Sequence, residues 1–249
     1  MKKYFKSLLV VTAVFSLFLA QNALAAPIKK TPPKYQNITT GNPHVMKNDK
    51  FFVSIKLSNA STIKKTQIKM DGNVVKTCGS VVTCSGEIGT FGDDQIGEHS
   101  FSFLITAKNG ATSEPWGKFE VVDGDKNQYG AWYDKIRVSM NSYQTEVGKK
   151  QNILVYIANG NSIDYKNQVY FMDVAVDDEE LMDMATFGPN TNPGAKTSSS
   201  GRLLPAFKKA DIGEHTFSFG IKAPNGDVVE SGGSFWIVDK GQVLPVENP

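Results

Sequence analysis

The chain has 249 residues, with 27 Lys and Arg against 25 Asp and Glu and only two cysteines. Its small basic excess comes from Lys2, Lys3 and Lys6, so the chain from residue 26 onward carries a formal charge of −1. A near-neutral body lacks the cationic surplus that neutralises phosphates, which argues against a nucleic-acid partner.

Residues 1–25 join those lysines to an apolar run from Leu8 to Ala20 and close on Ala23-Leu24-Ala25, the layout of a cleaved bacterial-type secretory signal peptide. The run is shorter than the roughly 20 residues a membrane span needs, and no later segment is longer. The processed chain is therefore expected to enter no membrane and to be exported, either to the periplasm or out of the cell.

Short alternating runs follow. Strands are expected at Phe51 to Leu57, Gln67 to Asp71 and Val74 to Thr77, with turn residues between them. Cys78 and Cys84 stand six residues apart with no His or further Cys nearby, so a disulfide is expected rather than a metal pair in an oxidising compartment. From His99 the residues Phe101, Phe103, Ile105 and Ala107 alternate with Ser100, Ser102 and Thr106, a half-buried strand. Asn109-Gly110 then turns the chain into "GKFEVVD".

The same phrase returns. Ile96 to Asp123 and Ile212 to Asp239 share sixteen of twenty-eight residues at an offset of 116, including "IGEH", "FSF" and the Asn-Gly pairs. Val53, Ile55, Leu57 and Asn59 match Ile153, Val155, Ile157 and Asn159 at an offset of 100, and Met70-Asp71 is matched to Met172-Asp173 at 102. The expected organisation is a signal peptide at 1–25, one unit at 26–123, a linker at 124–134, a second unit at 135–240 and a tail at 241–249. The second unit carries an insertion at about 174–206. Short strands in units of about a hundred residues imply an all-β chain of two tandem antiparallel β-sandwiches.

The Asp71-Gly72 turn, the Gly97-Glu98-His99-Ser100 and Gly213-Glu214-His215-Thr216 phrases and the Asn109-Gly110 and Asn225-Gly226 pairs resemble those of bacterial immunoglobulin-like modules. That resemblance implies an immunoglobulin-like fold and an extracytoplasmic setting, and it implies no activity. His99 and His215 share parity with the Phe pairs, so each is expected to face inward and bond a loop carbonyl, while Glu98 and Glu214 face solvent.

Few residues carry a chemical signal. Asp123, Asp125 and Asn127 alternate like the first ligands of a calcium loop, but Gln128 occupies the glycine position and no closing Glu follows. A polar linker without any cofactor is the leading expectation there, and calcium the alternative. Trp236 aligns with Glu120, a position expected to be exposed, so it is either a candidate anchor for a protein or a glycan ring or a Trp covered by the neighbouring unit or the insertion. Trp116, Trp132 and Tyr133 either extend such a patch or pack the contact between units. No motif of a known catalytic class occurs. The expected function is a non-catalytic exported interaction module that binds a protein partner, in adhesion or as an accessory of an envelope or secreted complex. A glycan-binding module is the alternative, and a secreted hydrolase or inhibitor comes third.

Overall fold

In a computed structural model of the chain, residues 30–125, 129, 132–158, 170–177, 199–222 and 228–246 are described. Residues 1–29, which include the expected signal peptide, and most of the expected second-copy insertion lie outside them. The strands of the first copy, in chain order, are β1 (Tyr35–Thr40), β2 (His44–Met46), β3 (Phe51–Leu57), β4 (Ile63–Met70), β5 (Asn73–Cys78), β6 (Thr83–Ile88), β7 (Gly97–Ala107), β8 (Thr112–Ser113) and β9 (Trp116–Val122). The second copy supplies β10 (Ile136–Met140), β11 (Gln144–Glu146), β12 (Asn152–Ile157), β13 (Tyr170–Val176), β14 (Ser199–Leu203), β15 (Gly213–Lys222) and β16 (Val228–Val238).

Alternation decides which face each strand buries. In β3 the residues Phe51, Val53, Ile55 and Leu57 are buried and those between them are not, and in β12 Ile153, Val155 and Ile157 repeat the pattern. β7 places Phe101, Phe103 and Ile105 in the core as its parity requires. Its opposite face is not solvated as expected, because Ser100 and Ser102 are also buried. A Lys69–Glu114 ion pair at 2.9 Å lies over that face, and Ser102 Oγ donates to the same Glu114 oxygen. The β4–β5 turn has Asp71 and Gly72 at φ 47° and 77°, the two positive values that a two-residue type I′ hairpin needs.

Strand order defines the architecture. In the first copy β1, β3 and β6 form one sheet, and β2, β9, β7, β4 and β5 form the other, with β2 running parallel to β9. These are the A-B-E and A′-G-F-C-C′ places of an immunoglobulin-like sandwich. The second copy repeats them with β10, β12 and β14 facing β11, β16, β15 and β13, and β11 is again parallel to β16. Both units are thus antiparallel immunoglobulin-like β-sandwiches.

The two copies are also continuous with each other. β1 pairs antiparallel with β10, so their first sheets merge into one six-stranded sheet ordered β14-β12-β10-β1-β3-β6. Ile38 faces Met140, Thr39 faces Ser139 and Thr40 faces Val138. Since equivalent residues here differ by 100, exchanging the copies maps this register onto itself, and Thr39 and Ser139 sit on a local two-fold axis. Thr39 and Asn37 both donate to Ser139 Oγ, at 3.1 and 3.0 Å. A single buried apolar cluster contains side chains of both copies, including Trp132 and Tyr133 from the end of the expected linker.

Candidate interaction site

The duplicated histidines are built into matching clasps. His99 Nδ1 lies 2.8 Å from Asp71 Oδ2 and Nε2 lies 2.7 Å from the Gln95 carbonyl oxygen, while the Ser100 amide donates to Asp71 Oδ1 at 2.8 Å. His215 repeats this with Asp177 Oδ2 at 2.6 Å, the Asp211 carbonyl at 2.7 Å and the Thr216 amide donating to Asp177 Oδ1 at 2.9 Å. Each imidazole stacks on a core ring, Phe119 at 5.4 Å or Phe235 at 5.6 Å. The inward-facing histidine bonded to a loop carbonyl is therefore observed in both copies, and Glu98 and Glu214 are exposed.

The clasp corrects the alignment. Met70 pairs with Phe101 and Val176 pairs with Phe217, so Asp71 is equivalent to Asp177 at an offset of 106, and not to Asp173. Both aspartates have left-handed φ, 47° and 53°, which lets the carboxylate turn back onto the next strand. Burial disfavours charge on His215, but the Asp177 carboxylate, then the Asp211 carbonyl, outweigh it and raise the pKa above its ordinary value. With oxygens facing both ring nitrogens, the doubly protonated ring is the form this geometry suits.

Trp236 is not exposed. Its side chain is 7% accessible, and it packs with Trp116 and Val238 in a cluster apart from the main core, under Leu244 and Val246. Parity did point it away from the sandwich interior; what the Glu120 equivalence left out is the segment after β16, which folds back over it. The two indoles lie 4.8 Å apart between centroids, and Lys118 Nζ stands 5.6 Å from the Trp236 ring. Trp116 comes from β9 of the first copy and Trp236 from β16 of the second, so the pair bridges the junction.

Trp132 and Tyr133 are buried as well, which removes them from any exposed patch. Tyr133 Oη accepts from Asn42 Nδ2 at 2.9 Å and donates to the His44 carbonyl at 3.1 Å. Asn42 Oδ1 in turn accepts from Ser231 Oγ and from the His44 amide, so one buried amide ties the first copy's A–A′ loop to the linker and to β16. Beside this network a polar cleft of about 360 Å³ opens, lined in part by Asn48, Asp49, Glu87, Lys135 and Arg137, with the Arg137 guanidinium 4.2 Å from the centre of the Phe52 ring. Across the local axis the equivalents of Lys135 and Asn42 are Tyr35 and Ser142, whose hydroxyls meet at 2.8 Å.

Of the calcium candidates, Asp123 accepts an ion pair from Lys47 at 2.8 Å, Asp125 takes no regular structure, and Asn127 lies outside the described residues. Among the described residues no group of three or more His, Cys, Asp and Glu converges. Cys78 and Cys84 form the expected disulfide, which fastens the end of β5 to β6 and so links the two sheets of the first copy. Sequence reasoning missed the surface beside that bond. β5 is the outer strand of its sheet; Val74 and Val75 on it are 50 and 44% exposed, and Val81 and Val82 in the loop from β5 to β6 are 39 and 54% exposed. Their cue was a pair of Val-Val dipeptides in a polar context.

No protein-family model matches the chain and no curated protein matches it. Among solved structures it is similar to the I67–I69 fragment of titin at 11% identity and a TM-score of 0.29, with 84% of this chain and 66% of that one covered. It is also similar to the ICAM-5 D1–D4 ectodomain at 10% identity and 0.29, covering 79% and 51%. A third is SGBP-B of the Bacteroides ovatus mixed-linkage glucan utilization locus, at 9% and 0.27, covering 84% and 48%. The chain spans less than two thirds of each of these, and its immunoglobulin-like assignment rests on its own strand order.

Proposed function

We propose that the protein is an exported, non-catalytic interaction module that binds a protein partner, in adhesion or as an accessory of an envelope or secreted complex. One observation carries the reading: two valines stand exposed on β5 of the first copy and two more on the loop that follows it, which a disulfide ties down. Exposed large apolar side chains on a rigid edge strand and its loop are candidates for contact with a protein partner. The bond itself suits an oxidising compartment. The histidines of the duplicated phrase have both ring nitrogens engaged inside the fold, which fits a scaffold rather than an acid–base site.

The partner meets side chains here, not a bare strand edge. Lys69 pairs with Val74 and Ile68 with Lys76, which leaves Val75 as a bulged extra residue, and Lys76 Nζ donates across to the Ser85 carbonyl. A bulge and a lysine are devices that discourage strand addition. The test uses the intact protein with Val75→Glu or Val82→Glu, both surface changes expected to alter stability by under about 0.5 kcal/mol. An envelope partner identified on the wild type by crosslinking should be lost from both variants at unchanged melting temperature. Equal capture by wild type and both variants, or turnover of any offered polymer, overturns the proposal.

A further inference from the structure

The segment after β16 behaves as a bound peptide. Lys240 to Val246 forms no strand pairing, yet three side chains hold its backbone: Glu146 Oε1 accepts from the Gly241 amide at 3.0 Å, Gln144 Oε1 accepts from the Leu244 amide at 3.0 Å, and Trp116 Nε1 donates to the Leu244 carbonyl at 3.2 Å. Leu244 and Val246 turn inward onto Trp116, Trp236 and Val238, while Val243 between them and the turn is 73% exposed. Pro245 restricts Leu244 to extended backbone and offers no amide of its own that would need a partner. An indole donor aimed at a carbonyl, an aromatic floor and apolar residues at alternate positions together make a recognition mode for extended, proline-containing peptides.

We infer that the Trp116–Trp236 face is a reader for an extended segment of the form Leu-Pro-Val on a protein partner, and that Lys240–Val246 occupies it in cis as a displaceable strap. This face differs from the β5 edge of the proposed function, so the two readings stand or fall separately. Three features make the strap exchangeable. Its cluster is separate from the main core, so lifting it opens neither sandwich. Its anchors Gln144, Glu146 and Trp116 belong to strands β11 and β9, which stay paired to β16 and β7 without it. Leu244 and Val246 themselves are only half-buried. A tethered segment competes at a high effective concentration, so a partner in trans binds weakly until the strap is dislodged.

The test uses the full chain and a fluorescein-labelled synthetic peptide with the sequence of residues 240–246. The double variant Leu244→Asp, Val246→Asp unseats the strap; if it melts below the assay temperature, Leu244→Ala serves in its place. Anisotropy should show saturable peptide binding to the released protein at least tenfold tighter than to wild type, and none for a peptide with Leu and Val replaced by Ser. Adding Gln144→Ala to the released protein removes one backbone hydrogen bond and should weaken binding about threefold to tenfold. Tryptophan emission should shift to the red on release and return on peptide addition. A folded, released protein that binds no peptide at millimolar concentration overturns the inference, as does equal binding by wild type and released forms. Wild type that runs as a dimer with exchanged segments overturns it too, since a second copy would then be the occupant.

Discussion

Gly117 offers a direct test of how the copies meet. It lies on β9 of the first copy, and a Cβ built there would stand 2.6 Å from Tyr143 Cδ1 and 2.8 Å from Phe101 Cζ, where Tyr143 belongs to the second copy. Both rings are buried, and they hold each other edge to face at 5.3 Å, so neither can swing away freely. Gly117→Ala therefore forces an extra methyl into a filled site, which costs roughly 1–3 kcal/mol. Alanine also restricts the unfolded chain, which offsets about 0.4–1 kcal/mol of that. The net loss is about 1–2 kcal/mol, or a fall in Tm of roughly 2–8 °C for a chain of this size. The local axis supplies the control: Gly233 is the counterpart, and its built Cβ meets the Phe217 ring at 3.2 Å and Pro43 at 3.6 Å, contacts that ask for a shift of only tenths of an ångström. Gly233→Ala should be close to neutral by differential scanning calorimetry. If Gly117→Ala matches or exceeds wild-type Tm while Gly233→Ala does not, Tyr143 and Phe101 do not close over Gly117 and the described junction is wrong.

Paired Cys78→Ser and Cys84→Ser changes remove a short cross-link worth about 2.4 kcal/mol in the loop-entropy account, so Tm should fall by roughly 5–10 °C, measurable against the same loss on reduction of the native protein. The raised pKa of His215 makes its clasp pH-dependent: its contribution is complete below the unfolded value near 6.5 and is lost as pH rises through the higher folded value. The Tm gap between wild type and His215→Gln should accordingly narrow from pH 6 to pH 9, and a gap that widens contradicts the assigned clasp. Asp177→Asn should lower the His215 pKa in an NMR titration of the ring protons. With the Lys47 ammonium on Asp123, millimolar calcium should leave the melting curve unchanged, whereas a rise abolished by Asp125→Ala would favour the calcium-loop reading over the polar linker.

Fold class and repeat were legible because period-two alternation and a near-verbatim phrase survive in the chain itself. Phe101, Phe103, Phe217 and Phe219 are inside for the reason their spacing gave. The equivalence of Asp71 and Asp177 was not legible, since "MD" at 172–173 imitates "MD" at 70–71, and the true criterion is a left-handed turn opposite a histidine, which spacing alone does not encode. Trp236 shows a second kind of blindness. Alternation tells which way a side chain leaves its strand and says nothing of what later lies on top of it, so its outward direction and a contact with the other copy were readable, while the segment after β16 that also covers it was not. The β1–β10 pairing is a third: an edge strand carries no mark of its neighbour, and small polar residues such as Thr39 and Ser139 read as an ordinary solvent-facing row.

That pairing sets a rule for multiplying the unit. Each copy gives its first-strand edge to the other, in a register that is satisfied only by two, so a third copy added in sequence would find no such edge left to join. Longer molecules built on this plan would grow in couples rather than one at a time. A lone copy would present the whole of β1 or β10 bare on one side, with its row of amides and carbonyls open to any passing strand. Duplication here thus closes one edge of each sheet with the one neighbour that can never diffuse away.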